Sequence, residues 1–295
     1  MILASQNATA VKRPLLNRRQ KHFVGNFFTY IALLIFVFIV DLPLIAMAGT
    51  AMKKENVALS STSLLPKAGE WSFEAFGKVF TTTDFGRNLI NSGIVSVCTT
   101  IGCILFASMA GYALSRYRGK FFSGYSVLLL MLQMFPQMLL LIPMFILYTK
   151  LGLMNTLYSV VISYTTMNLA FNIMMIQGFF DTIPRELEEA GKVDGCTGFQ
   201  AYYRIILPIS LPGIATVAIF TFLNAWNEFT FASLMLRKTE LQTLTVGLTK
   251  FVQQYTTDWS KLMAASTIAT VPALIFLVFT QKYLIQGLTA GAVKG

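Results

Sequence analysis

Few side chains in this sequence are equipped for chemistry, and most of those that are sit at helical spacing in apolar surroundings. Gln133 and Gln137, and likewise Asn168 and Asn172, are four residues apart, so in a helix each pair shares one face. Tyr164 lies one turn before Asn168, while Asn224, Asn227 and Glu228 crowd a short stretch in which Asn224 and Glu228 share a face. Primary amides donate and accept hydrogen bonds without carrying charge, which suits them to the hydroxyl groups of an uncharged polar solute. The same groups bond helices to one another within membranes, and the spacing fits either role.

Other kinds of site lack their parts. His22 is the single histidine and stands among basic residues, so neither a histidine metal site nor a catalytic triad is available. Cys98 and Cys103 fall in an apolar run and Cys196 in a polar loop, without metal-ligand or disulfide spacing. No nucleophile and base pair stands out, so no catalytic residue and no metal ligand is expected. A phosphate-binding GxxxxGK[ST] loop is missing: Gly119-Lys120 is followed by Phe121, and Gly191-Lys192 by Val193. This chain is therefore expected to bind no cofactor.

The elements that must position these amides are membrane helices. The sequence is 55% hydrophobic and 12% charged, against about 25% charged in ordinary soluble domains. Six stretches are long enough to cross ~30 Å of hydrocarbon: Phe27 to Ala48, Leu89 to Tyr112, Gly124 to Tyr148, Leu157 to Phe179, Pro208 to Leu236 and Leu262 to Leu288. The fold class predicted is an all-α, six-span integral membrane protein. Ala46-Met47-Ala48 resembles a signal-peptide cleavage site, but the first apolar run exceeds a typical signal core and carries Asp41 and Pro43, so an uncleaved span is expected.

Basic residues set the orientation. Lys12, Arg13, Arg18, Arg19 and Lys21 precede the first span, and Arg116, Arg118 and Lys120 fill the loop between the second and third, placing both segments in the cytoplasm. With six spans both termini are cytoplasmic. The expected organisation is a cytoplasmic segment 1–26, a membrane domain 27–288 with a long cytoplasmic loop 182–207, and a tail 289–295. The net charge of +10 belongs to these flanks and gives no reason to expect nucleic acid. Asp41 and Glu228 are the acidic residues within the spans, both towards the outer ends, so the midplane lacks the carboxylates of a proton- or sodium-coupled carrier.

The loop between the fourth and fifth spans carries the strongest signal. Pro184 suits a first helical turn, Glu186, Glu188 and Glu189 favour its positive end, and Leu187, Ala190 and Val193 share a face. Gly195 closes that helix, and Thr197 with Gln200 forms a capping-box pattern opening a second one, in which Phe199, Tyr202, Tyr203 and Ile206 fall on one stripe. Pro208 and Pro212 mark where the fifth span begins.

The order Glu189-Ala190-Gly191, three residues, Gly195, nine residues, Ile205, one residue, Leu207-Pro208 resembles the EAA motif of binding-protein-dependent ABC importer permeases. Alanine is commoner where this chain has Gly191. The end of the chain, Gln286 to Gly295, and Trp226-Asn227-Glu228-Phe229 resemble maltose-type second membrane subunits, which points to the carbohydrate-uptake branch. The resemblance implies a type I ABC importer permease fold in the bacterial cytoplasmic membrane, with the loop as a cytoplasmic coupling helix. By that resemblance Glu189 and Gly195 hold the bend, Ala190, Gly191, Asp194 and Cys196 lie on the docking surface, and Ile205, Leu207 and Pro208 complete the motif.

The implied partners are two ATPase subunits that bind ATP and magnesium, a second homologous permease, an external solute-binding protein, membrane lipid and an oligosaccharide substrate. Gln253, Gln254 and Tyr255 lie where maltose-type subunits probe the binding protein, although an ordinary solvated loop fits as well. The same machinery carrying an acidic oligosaccharide, such as alginate fragments, or glycerol phosphate is the alternative the motif leaves open. A secondary carrier fits less well.

Overall fold

The computed structural model describes residues 18–58, 60–252 and 257–292, with side chains over 26–58, 60–252 and 257–282. Among these residues the chain is helical, and two isolated bridges, Lys53 with Trp71 and Val252 with Thr257, stand in place of strands. In chain order the principal helices are α1 (Arg18–Ala51), α2 (Glu74–Thr82), α3 (Phe85–Arg116), α4 (Lys120–Met134), α5 (Leu141–Lys150) and α6 (Leu157–Asp181). They continue with α7 (Glu186–Val193), α8 (Gly198–Ile209), α9 (Leu211–Asn227), α10 (Thr230–Met235), α11 (Leu244–Leu248) and α12 (Trp259–Ala292).

Helices α1, α3, α6 and α12 contain the first, second, fourth and sixth apolar stretches, and each is long and apolar enough to cross a membrane. The third stretch is not one helix. It breaks between α4 and α5 with a 90° bend. Pro136 is the cause: the residue before a proline is driven out of the helical region, and Phe135 is extended at φ −75°, ψ 127°. A short 3₁₀ turn, Gln137–Leu140, then restarts the helix.

The fifth stretch is likewise divided. Helix α8 runs through Pro208 and meets α9 at 75°, and α9 ends at Asn227, where Glu228 is extended ahead of α10. Pro208 has no N–H to return to the carbonyl four residues earlier. The chain accommodates it by widening into a π turn over Tyr202–Ile206, with the Leu207 N–H reaching Tyr202 O.

The centre of the bundle is the pair α3 and α6, with α9 packed against both, α12 against α9, and α1 against α12. Gly111 on α3 lets the first two meet. A Cβ there would collide with Ile176 Cγ2 and lie 3.1 Å from Ile173 O, so a small residue permits the close backbone approach. At the end away from the α7–α8 loop, Asn88 and Asn91 of α3 donate to the carbonyls of Gln242 (2.8 and 3.0 Å) and Glu240 (3.0 Å), pinning the segment that leads to α11. α1 leaves Phe27 to Val40 exposed, an apolar surface for lipid or a neighbouring subunit.

Candidate functional site

The loop between α6 and α9 is a helix, a glycine turn and a second helix. α7 closes in a Schellman motif: the Cys196 N–H bonds Gly191 O at 2.9 Å and the Gly195 N–H bonds Lys192 O at 3.0 Å. Gly195 occupies the left-handed region at φ +89°, where a side chain is strained. Thr197 then caps α8 in a two-way box, its hydroxyl accepting from Gln200 N at 3.2 Å while the Gln200 side chain accepts from Thr197 N at 2.8 Å. These bonds satisfy several of the orphan groups on both sides of the turn and fix its shape.

Which residues point outwards follows from that geometry. Leu187, Ala190 and Val193 share the exposed face of α7, with Val193 88% exposed, and Asp194, Gly195 and Phe199 continue it. Cys196 is half-buried. Gly191 does not join this surface, contrary to expectation. It is buried, and a Cβ there would strike Ile205 Cδ1, so its smallness lets α7 lie on α8. Leu207 is half-buried and Pro208 exposed at the end of α8.

Glu189, expected at the bend, is exposed as well; the glutamate that faces the bundle is Glu188. Glu188 pairs with Arg116 Nε of α3, both side chains being 8% exposed, and accepts from Tyr112 Oη at 2.9 Å. Arg116 also donates to Phe180 O (3.0 Å), Ser115 Oγ (3.0 Å) and Ile183 O (3.2 Å). On α8, Tyr202 donates from its buried hydroxyl to Ser108 Oγ at 2.8 Å. In the sequence alone Arg116 reads as an orienting charge and Glu188 as a helix-terminus charge. The hint available was a second acidic residue beside the motif glutamate, about 100° round the helix from it.

Four of the predicted amides converge. Gln133, Gln137, Asn168 and Asn224 line one cleft of about 420 Å³ formed by α4, the 3₁₀ turn, α5, α6 and α9, whose walls include Phe135, Phe171 and Phe220. Asn224 donates to Asn168 Oδ1 at 3.1 Å, and Asn168 donates to Tyr164 O at 2.8 Å. Gln133 and Gln137, exposed on either side of the Pro136 break, keep capacity for a solute. Among the described residues, no lining side chain is charged.

The remaining candidates are placed elsewhere. Asn172 is buried between helices and donates to Thr221 Oγ1 at 2.7 Å, the bonding role that its spacing equally allowed. Tyr164 is buried with its hydroxyl donating to Glu228, whose carboxylate also accepts from Phe231 N (2.8 Å) and Ala232 N (3.3 Å) at the start of α10. That pair is consumed in holding α10 against α6 and does not line the cleft. Asn227 is exposed and donates to Leu223 O at 2.9 Å, one turn beyond Asn224 and outside the cleft lining. Gln253, Gln254 and Tyr255 lie outside the described residues.

A loop built as a rigid exposed helix, attached to a bundle with an uncharged polar cleft, fits a transport subunit driven from outside the membrane. Residues 103–290 match the family described as "Binding-protein-dependent transport system inner membrane component". The chain belongs to this family. It is a multi-pass permease subunit of the ABC-importer kind, with the corresponding type I fold.

Among this permease's relatives is the diacetylchitobiose uptake system permease protein of Streptomyces coelicolor, 36% identical over 224 residues that cover 76% of this chain and 81% of that one. The galactooligosaccharides transport system permease protein of Bacillus subtilis is 30% identical over 285 residues, 95% of this chain and 100% of the other. The maltose/maltodextrin transport system permease protein of Salmonella typhimurium is 32% identical over 287 residues, covering 90% and 95%. In fold the permease is similar to a chain in the crystal structure of a bacterial ABC transporter involved in the import of the acidic polysaccharide alginate, with a TM-score of 0.77 at 22% identity, covering 92% of this chain and 100% of that chain.

Proposed function

We propose that this permease carries a neutral oligosaccharide across the bacterial cytoplasmic membrane by alternating access, powered by ATP hydrolysis on two separate ATPase subunits that hold ATP and magnesium. The exposed face of α7 and the adjoining turn, from Leu187 through Ala190 and Val193 to Gly195 and Phe199, docks on an ATPase. Both termini and this loop are then cytoplasmic, a second homologous permease completes the pathway, and an external binding protein delivers the sugar. What carries the substrate reading is the cleft in which Gln133, Gln137, Asn168 and Asn224 stand among aromatic walls. Amides match sugar hydroxyls, and phenyl faces match the apolar faces of pyranose rings.

A second reading, an acidic oligosaccharide, has the fold likeness to the alginate importer in its favour. Against it stands the lack of any cationic residue lining this subunit's cleft among the described residues, since a carboxylate brought into low dielectric needs a counter-charge. The test is ATPase stimulation in proteoliposomes holding the complete importer and its binding protein, against maltotriose, diacetylchitobiose, galactobiose, an alginate trisaccharide and glycerol phosphate. Stimulation by a neutral sugar supports the proposal. Stimulation confined to the alginate fragment or glycerol phosphate overturns it.

A further inference from the structure

Helix α7 is joined through the chain to α6 and, by way of α8, to α9, but not to α3, the helix on which both α6 and α9 pack. Beyond the packing of α6 and α9 on α3, the direct route from α7 to α3 is through side chains. Those side chains form a compact polar cluster at the end of α3. Arg116 uses all three guanidinium nitrogens: Nε on Glu188 of α7, Nη1 on Phe180 O of α6 and Ser115 Oγ, and Nη2 on Ile183 O in the connector between α6 and α7. Tyr112, one turn earlier on α3, donates to the second Glu188 oxygen at 2.9 Å.

Around this centre Arg185 Nη2 donates to Ser115 O at 3.2 Å and Ser115 Oγ to Asp181 Oδ1 at 2.6 Å, so three helices and their connector are bonded within one cluster. The planar fork of arginine fixes direction as well as distance, which a lysine point charge would not. A buried ion pair adds little net stability over a well-packed apolar pair, so its value lies in fixing relative position. A second contact, Tyr202 Oη to Ser108 Oγ at 2.8 Å, with the Tyr112 and Tyr202 rings 4.9 Å apart, ties α8 to the same helix one turn higher.

We propose that Arg116, Glu188 and Tyr112 are positioning residues forming a rigid joint, through which α7 and the end of α3 move as one body and a push on the coupling helix is delivered to the bundle centre. The joint is separate from the docking face: Glu188 points inwards while Glu189, its neighbour, is exposed. The proposal rests on the permease reading above. On that reading, losing the joint lets ATP be hydrolysed without moving the bundle.

The experiment uses the complete importer in proteoliposomes, with the native cysteines replaced by serine and spin labels at Lys192→Cys, exposed on α7 away from the named docking face, and at Arg118→Cys just past α3. The inter-label distance is measured nucleotide-free and after trapping with ATP and vanadate. The joint predicts an unchanged distance in the otherwise native protein and a changed or broadened one in Glu188→Gln. A shift of about one helical turn, ~5 Å, in the otherwise native protein overturns it.

In parallel, sugar imported per ATP is measured with whichever of maltotriose, diacetylchitobiose or galactobiose stimulates hydrolysis most. Glu188→Gln is expected to lower this ratio roughly fivefold or more, the scale of an allosteric coupling term, and Tyr112→Phe to lower it by a smaller factor. A variant that is merely unstable loses import and hydrolysis together and keeps the ratio. Native ratios in both variants overturn the joint; should Glu188→Gln fail to assemble, Tyr112→Phe and the distance decide. A wild-type importer that moves none of these sugars with ATP refutes the neutral-sugar reading instead, and the distance measurement still decides the joint.

Discussion

Gly195 is the position where a small change has the most readable consequence. Its φ of +89° lies where a Cβ costs about 1–2 kcal/mol. A Cβ built there meets nothing within 4 Å, so Gly195→Ala introduces backbone strain and no collision. That strain alone changes the balance between the closed turn and an opened one by roughly 5- to 30-fold. Asparagine tolerates the left-handed region better and should cost less. Proline fixes φ near −65° and removes the N–H that bonds Lys192 O at 3.0 Å, so the turn cannot form, a penalty of ~3 kcal/mol or more. Binding-protein-stimulated ATPase activity and sugar imported per ATP, measured for Gly, Asn, Ala and Pro at this position, should fall in that order. Equal coupling in Gly195→Pro and the native protein would refute the claim that the closed turn transmits force.

Three further outcomes are expected. Glu228→Gln replaces a carboxylate that accepts from Phe231 N, Ala232 N and the Tyr164 hydroxyl, and should lower stability in detergent by about 1–3 kcal/mol, read as a lower unfolding temperature; an unchanged melt with a changed sugar preference would place Glu228 in the substrate path instead. Gly111→Val drives a side chain into Ile176 and the Ile173 carbonyl and should cost about 1–3 kcal/mol through separation of α3 from α6, seen as loss of monodisperse protein on size exclusion; Gly77→Ala, with open space around its Cβ, serves as the comparison. Gln137→Leu together with Asn224→Leu removes hydrogen-bonding groups from the cleft and should raise the sugar concentration for half-maximal import about tenfold or more, whereas a change under twofold would assign those amides to helix packing.

The sequence made some of this architecture legible and concealed the rest for identifiable reasons. Apolar runs report which segments suit lipid, so α1, α3, α6 and α12 were readable; a hydropathy window carries no direction, so the bends at Pro136 and before Leu211 were not, although Pro136, Pro208 and Pro212 stood in view. The glycine turn and capping box were legible because their chemistry is local. Amides spaced four apart revealed a face but not what it meets. Asn168 looks into the cleft and Asn172 at Thr221, a difference set by the packing of α9. The pairs Glu188 with Arg116 and Glu228 with Tyr164 join residues far apart in sequence, and adjacent glutamates on a short helix cannot be sorted into inner and outer until the bundle axis is known.

The central claim is that the exposed face of α7 meets a separate ATPase, and it is tested most directly by crosslinking. A photo-reactive amino acid at Val193, 88% exposed, in the assembled importer is predicted to crosslink to the ATPase subunit in high yield, while the same probe at Ile205, packed over Gly191, is predicted to give none. An importer that moves sugar with ATP yet yields no ATPase crosslink from Val193, Ala190 or Leu187 would contradict the account.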